Sequence, residues 1–413
     1  MKFEDYRISP DIKKSLKELD FRRPTDIQYK AIPPILKGED VLAIAQTGTG
    51  KTAAFAIPII HIINKKKKYN NHIGIQCVVM VPTRELAIQI NEVFNDIGSY
   101  TDVVTLTIYG GVEQDPQINK LNEGVDILIV TPGRMFDLIS QKHVKLDEVK
   151  VLVLDEADHM LDLGFIKDIH DIIKFIPRKH QTLFFSATID KKIKKLAYSL
   201  VSNPIRIQIS PKDPVARNIE HSVAFIEMDD KRFFLERFIN INPDSKILVF
   251  VRTKVRAERV LKALERVEIK SRTIHSGKDQ DERTEVMNDF KNGRNNILIA
   301  TDVSARGIDI PNVDYVINYD LPEQVENYVH RVGRTGRASK KGQAISFCSK
   351  GEKEILSEIE KYLDKKIATL TITKNDYLET LETSNESHTD WKTLINQPEE
   401  SDKKRKKKKK RKK

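Results

Sequence analysis

The chain has 413 residues, 39% of them hydrophobic and 32% charged, enough for ordinary globular cores and for two or three domains. No apolar run reaches the roughly 18 residues needed to cross a bilayer, and the opening residues from Met1 to Asp5 lack the charged-then-apolar pattern of a secretory leader, so a cytoplasmic protein is expected. The net charge of +11 excludes less than it suggests: residues 403–413 are all Lys or Arg, and the rest of the chain holds 60 basic against 60 acidic residues, so its body is not globally basic.

Short runs rich in Val, Ile and Leu alternate with amphipathic segments. Asp40–Ala45, Ile75–Val81, Val103–Ile108, Ile127–Val130, Val151–Leu154 and Thr182–Phe185 read as strands, with helical patterns such as Arg84–Ile97 and Lys191–Leu200 between them. Continuous apolar strands separated by helices predict an α/β fold with a parallel sheet covered on both faces. The stretch 205–220, with Pro211 and Pro214, reads as a linker. A second series follows: His221–Ile226, Lys246–Phe250, Ser271–His275, Asn296–Ala300, Asp314–Asn318 and Gln343–Phe347. Two tandem doubly wound domains are therefore expected at 1–208 and 221–370, joined by a linker at 209–220. Residues 371–413 read as a disordered tail, polar and mostly acidic around Trp391 and ending in the basic run. Cys77 and Cys348 lie in or beside strands and read as buried thiols.

The strongest chemical signal is Ala45, Gln46, Thr47, Gly48, Thr49, Gly50, Lys51 and Thr52. It follows a strand and precedes a helical pattern, where glycines turn backbone N–H groups inward and the helix N-terminus adds its positive end. Lys51 can reach the β and γ phosphates of a nucleotide, and the Thr52 hydroxyl can bind Mg²⁺. Ala45 stands where the usual pattern has Gly. Asp155, Glu156, Ala157 and Asp158 follow directly on the strand Val151–Leu154. A carboxylate at such a strand end can hold Mg²⁺, and its neighbour can orient and deprotonate an attacking water. These roles fall to Asp155 and Glu156.

In order, the phosphate loop, Pro82 to Ala87, Thr131 to Arg134, Asp155 to Asp158, Ser186 to Thr188, Ala300 to Pro311 and His330 to Arg337 resemble the motifs of DEAD-box ATP-dependent RNA helicases. The resemblance spans about residues 1–365, and the bacterial RhlE-like branch is the subgroup it suggests. It implies two RecA-like domains. It also implies an adenine site in which Gln28 reads the base edge and Phe21 stacks on it, with Phe3 as the upstream aromatic, and a ribose contact at Asp309. An amide offers both donor and acceptor, as adenine recognition requires, which points to ATP rather than any nucleoside triphosphate, with the Mg²⁺ that Thr52 and Asp155 suit. Arg334 and Arg337 are similar to the family's arginine fingers, His330 to a residue that positions the attacking water, and Asp158, Ser186 and Thr188 to the group that couples hydrolysis to opening.

Thr83, Arg84, Gly110, Gly111, Thr131, Gly133 and Arg134 fall at or just beyond first-half strand ends. Arg252, Thr253, His275, Gly277, Gln280, Arg283, Thr301 and Asp302 occupy matching places in the second half. These residue types bind phosphate and sugar without reading sequence, and 2′-hydroxyl contacts would favour RNA. His275-Ser-Gly277 departs from the His-Gly common in relatives. The four lysines Lys65–Lys68 read as an exposed loop.

The implied function is an RNA-stimulated ATPase that binds RNA across two lobes and locally unwinds short duplexes or remodels RNA–protein complexes. An ATP-gated RNA clamp or assembly platform is the alternative, and strand-separation assays discriminate the two. A DNA helicase of a related branch would show equal stimulation by single-stranded DNA. RNA is the implied partner; ribosomal or RNA-degradation partners are left unnamed, no membrane is involved, and a monomer is expected. The basic tail suits salt-sensitive tethering of RNA. Deleting residues 403–413 is expected to weaken RNA affinity and flatten the slope of log K against log salt, measured by RNA titration at several salt concentrations. An unchanged slope contradicts the tether.

Overall fold

The computed structural model describes residues 2–46, 48–69, 74–209, 219–305, 313–336 and 342–383. Thr47, Asp309, Arg337, Trp391 and the basic run lie outside the described residues.

Seven strands build the first sheet: β1 (Val41–Ala45), β2 (Cys77–Met80), β3 (Thr105–Ile108), β4 (Ile127–Val130), β5 (Val151–Leu154), β6 (Gln181–Ser186) and β7 (Ile205–Ile209). Seven more build the second: β8 (Ile219–Phe225), β9 (Ile247–Phe250), β10 (Arg272–Ile274), β11 (Ile297–Ala300), β12 (Tyr315–Asn318), β13 (Gly342–Cys348) and β14 (Ala368–Thr369). The spatial orders are β3-β4-β2-β5-β6-β1-β7 and β10-β11-β9-β12-β13-β8-β14, the same wiring twice. The strand pairs are parallel.

The burial pattern explains the continuous apolar strands. β1, β2, β4, β5 and β6 are buried at every residue. Successive side chains point to opposite faces. Val41, Ala43, Val79 and Val153 therefore join the core under the helices Pro10–Glu18, Asp26–Leu36, Lys51–Lys67 and Arg84–Gly98. Leu42, Val78, Leu128 and Leu152 join the core on the other face. The second sheet repeats the plan, with Leu248 and Phe250 on one face and Val249 and Ile299 on the other. Because the strands are parallel, their C-terminal ends line up on one edge of each sheet, and the loops that carry the motifs gather there.

Two segments differ from the sequence reading. Residues 205–209, taken as the start of a linker, form β7, which pairs with β1 from Val41↔Ile205 to Ala45↔Ile209. Only Ile207 is buried in it, as suits an edge strand. The segment 371–383, read as the start of a disordered tail, instead holds the helix Lys374–Glu382. A capping box starts this helix: Thr373 Oγ1 accepts from Asp376 N–H at 3.1 Å, and the Asp376 carboxylate accepts from Thr373 N–H at 3.3 Å. Tyr377 docks the helix, its ring 4.8 Å from Phe234 and its hydroxyl donating to Asp230 at 2.7 Å. Arg237 adds a bond to Thr380 Oγ1 at 2.6 Å. No described helix is long and apolar enough to cross a membrane.

Candidate active site between the two lobes

β1 ends at Ala45, and the chain turns through Gly48 and Gly50 into the helix Lys51–Lys67. Gly50 has φ of +91°, a left-handed value that favours glycine, and a Cβ there would meet Gln28 Nε2 at 2.5 Å. Gln28 is buried and works as a strut: Nε2 donates to the Gly50 carbonyl at 3.2 Å, and Oε1 accepts from Thr25 N–H at 2.9 Å. The residue expected at the adenine edge is thus tied directly to the phosphate loop. Phe21 is half-buried and meets Phe3 edge-on at 5.8 Å, while Phe3 itself lies in the core.

Lys51 is 6% exposed, yet its ammonium makes no hydrogen bond, and its nearest opposite charge is Asp155 Oδ1 at 3.8 Å. A buried cation without donors satisfied is costly. Placed at a helix N-terminus behind a glycine turn, it fits a phosphate.

Asp155 and Glu156 are both buried. Burial pushes the Asp155 carboxyl up to about 6, with Lys51 opposing and Glu156 reinforcing. Burial also acts to raise Glu156, but His159, Lys51 and His330 together outweigh it and hold that carboxyl well below the usual range. Neighbouring carboxyls with ionisations driven apart are a signature of divided roles. Glu156 sits at φ of +52°, rare for a side chain of its size and typical of strain kept at reactive sites. His159 Nδ1 lies 3.7 Å from Glu156 Oε2, an ion-pair distance rather than a hydrogen bond.

Asp158 links the ends of β5 and β6. Its Oδ2 accepts from Ala187 N–H and Thr188 N–H, both at 3.1 Å, and from Thr188 Oγ1 at 3.2 Å. Ser186 turns elsewhere: its hydroxyl donates to the Thr188 carbonyl at 2.8 Å.

The residues expected to meet RNA divide into two groups. On the first lobe, Gly110 and Gly133 face open space. Thr83 caps its helix by accepting from Leu86 N–H. Thr131 stands as the extended N-cap before the helix Pro132–Ser140. A Cβ on Gly111, at φ of +79°, would displace the Arg84 guanidinium lying against it. Arg134 Nη2 donates to the Val112 carbonyl at 2.7 Å, while its Nη1 has no partner. On the second lobe several side chains are committed to protein. Gln280 Oε1 accepts from Arg84 Nη1 at 3.2 Å, and Arg283 Nη2 pairs with Glu85 Oε1 at 2.7 Å, so both reach across the cleft to the first lobe. His275 Nδ1 accepts from Gly277 N–H at 3.1 Å, which leaves Nε2 protonated toward Glu258 at 2.8 Å. That bond shapes the Ser276–Gly277 turn. Asp302 receives both arms of Arg331, at 2.5 and 2.8 Å. Thr253 caps its helix at Arg256 N–H, and Thr301 is buried.

Arg334 is 1% exposed and donates from Nε to the His330 carbonyl at 3.1 Å. The His330 charge is among those that hold the Glu156 carboxyl low, so this part of the second lobe lies near the Asp155–Glu156 turn of the first. Sequence reading assigned no individual role to Glu85, His159 or Arg331, although Glu85 and Arg331 lie inside the stretches Pro82 to Ala87 and His330 to Arg337. Glu85 adjoins a motif residue and His159 lies one helical turn after Glu156, but nothing local announces their partners. Lys65–Lys68, expected as an exposed loop, instead form the last turn and C-cap of the helix Lys51–Lys67, where Lys66 binds Gln76, Lys67 binds Asp126 and Lys68 pairs with Asp11.

A two-lobed parallel α/β protein with a glycine-turned lysine helix in one lobe and a histidine of the other lobe near its acidic turn has the form of a nucleotide-driven motor or switch. Residues 25–196 match the family described as DEAD/DEAH box helicase, and residues 230–339 match the helicase conserved C-terminal domain. The chain is 40% identical over 367 residues to the DEAD-box ATP-dependent RNA helicase CshA of Bacillus licheniformis, covering 88% of this chain and 74% of that protein. It is 39% identical to RhpA of Helicobacter pylori, another DEAD-box ATP-dependent RNA helicase, covering 92% and 76%. Among solved structures, S. cerevisiae Dbp5 bound to RNA and ADP BeF3 superposes with a TM-score of 0.82 at 31% identity, covering 92% of this chain and 98% of that one. A DEAD box protein from Methanococcus jannaschii is more similar in sequence, at 38%, yet reaches only 0.52 over 90% and 99%. The chain belongs to the DEAD-box family of ATP-dependent RNA helicases.

The cross-cleft contacts are expected to be energetically coupled to RNA. In a double-mutant cycle of Glu85→Ala and Arg283→Ala, RNA affinity measured with a non-hydrolysable ATP analogue should show a coupling of about 1–3 kcal/mol. Strictly additive effects would show that the pair does not form when RNA is held.

Proposed function

We propose that this chain binds RNA across both lobes when ATP lies between them, loosens short duplexes or RNA–protein contacts in that closed state, and lets RNA go after hydrolysis. One observation carries the reading. Lys51, buried without a hydrogen bond, and Glu156, held ionised, lie in one lobe within electrostatic reach of His330 of the other, with Arg334 one turn further on. The lobe arrangement supports it: likeness is high to Dbp5 holding RNA and ADP BeF3, and equally to Mss116 bound to ssRNA and AMP-PNP, at a TM-score of 0.82.

In this reading Lys51 and the loop amides receive the triphosphate, and Gln28 signals an occupied adenine site to the loop through Gly50. Glu156 accepts the proton of the attacking water, and Arg334 of the second lobe stabilises charge on the transferring group. The phosphate oxygens gain that cation only on closure, so hydrolysis depends on whatever brings the lobes together. Mg²⁺ would be held by Asp155 and Thr52. The raised ionisation of Asp155, buried beside another carboxylate, fits a group awaiting a cation. Bound there, Mg²⁺ neutralises charge on the phosphates. Asp158, gripping Ala187 and Thr188, transmits the state of the Asp155–Glu156 turn to the end of β6. Thr83, Arg84, Gly110, Gly111, Thr131, Gly133 and Arg134 form the first-lobe RNA face, with Arg252, Thr253 and Gly277 opposite. RNA is held by phosphate and sugar contacts, so little sequence preference is expected.

Replacing Glu156 with Gln keeps the shape and removes the base. Turnover should fall by about 10²–10⁴-fold while RNA binding in the presence of ATP persists, read by steady-state phosphate release and by RNA dissociation kinetics. Undiminished turnover in that variant rules out Glu156 as the base.

A further inference from the structure

Lys231 opens the helix Lys231–Ile241 directly after β8. Since the two sheets share one wiring, this is the place that Lys51 holds after β1. Here no glycine loop precedes it; the connection is Ile226, Glu227, Met228, Asp229 and Asp230. The ammonium is fully buried and is satisfied from within, donating to the Tyr319 carbonyl at 2.7 Å and to Glu352 Oε2 at 2.6 Å. In the second lobe a carboxylate stands where the first lobe is built to take a phosphate.

Glu352, 2% exposed, does more than neutralise Lys231. Its Oε2 also accepts from Ser349 N–H at 3.0 Å and Ser349 Oγ at 2.8 Å. Its Oε1 accepts from Leu321 N–H at 3.0 Å and from Arg252 Nη2 at 3.3 Å. Arg252 is thereby fastened from behind. Its Nη2 also donates to the Leu321 carbonyl at 3.2 Å, and its backbone N–H to Asp320 at 3.1 Å. The side chain stays one-third exposed. It borders a cavity of about 220 Å³ between the lobes, whose opposite wall is His159, Asp162 and Leu163 of the first lobe. A surface arginine ordinarily loses rotamer freedom when it grips a ligand. Here a buried network fixes it beforehand.

We propose that Lys231 and Glu352 are positioning residues for RNA, holding the Arg252 guanidinium at the rim of the cleft where the first lobe closes. The inference rests on the reading of Arg252 as an RNA contact, and the two can fail separately. The test compares three full-length proteins: Lys231→Met with Glu352→Gln, Arg252→Ala, and the combination of all three. Half-saturating RNA in the ATPase assay, turnover at saturating RNA, ATP affinity without RNA and melting temperature are measured for each. Neutral groups of similar shape often replace a buried ion pair without loss of stability, so the paired variant should fold. Its half-saturating RNA should rise by about tenfold, with turnover at saturating RNA and ATP affinity within about twofold. Adding Arg252→Ala should raise it no further. If Arg252→Ala alone leaves half-saturating RNA unchanged, the RNA role of Arg252 falls and the positioning role with it. If Arg252→Ala raises it and the paired variant does not, the positioning role alone is overturned. Should the paired variant fail to fold, Glu352→Asp keeps the charge but withdraws it from Arg252. A several-fold rise in half-saturating RNA is then expected, and no rise overturns the proposal.

Discussion

Lys51 brings a positive charge into a buried place and leaves it without a hydrogen bond. A fold tolerates this where the group has a partner to receive, and the surroundings of Lys51 are arranged around that need. Gly50 bends the backbone through a left-handed turn, Gln28 braces the bend, and Asp155 stays far enough away to attract the ammonium without satisfying it. The second lobe completes the charges only from across the cleft. On the proposed reading the catalytic centre is divided, and whatever controls the separation of the lobes controls the chemistry.

The two sheets make the division instructive because they start from one plan. The first strand of each leads to a helix beginning with a buried lysine. In the first lobe the lysine is left open to a ligand. In the second it is closed off by Glu352 and Tyr319, and the charge network spreads outward through Asp320, Arg252 and Arg256. The same architectural position thus holds a buried lysine without a hydrogen bond in one half, the proposed nucleotide site, and an internally satisfied one in the other.

Much of the fold was legible because parallel strands buried on both faces must be continuous apolar runs, and Val151–Leu154 or Ile127–Val130 allow little else. The phosphate loop and the Asp155–Asp158 turn were legible because their chemistry requires residues at fixed short spacing. What escaped depends on distance along the chain. Nothing local tells whether Gln280 and Arg283 meet a nucleic acid or Arg84 and Glu85, about 200 residues away; an arginine suits either partner. Pro211 drew the linker too early, although Ile205, Ile207 and Ile209 carry a two-residue period that an edge strand can use. The helix at Lys374–Glu382 was masked by its polar composition. It is held by a capping box, Tyr377 and the Arg237 bond to Thr380 rather than by a broad apolar face.

The central claim is that ATP turnover requires both lobes drawn together by RNA. Steady-state ATP hydrolysis by the full chain, measured with and without single-stranded RNA at saturating ATP, tests it most directly. The divided centre predicts slow turnover alone and a rise of at least about tenfold with RNA. Equal rates under the two conditions would contradict it.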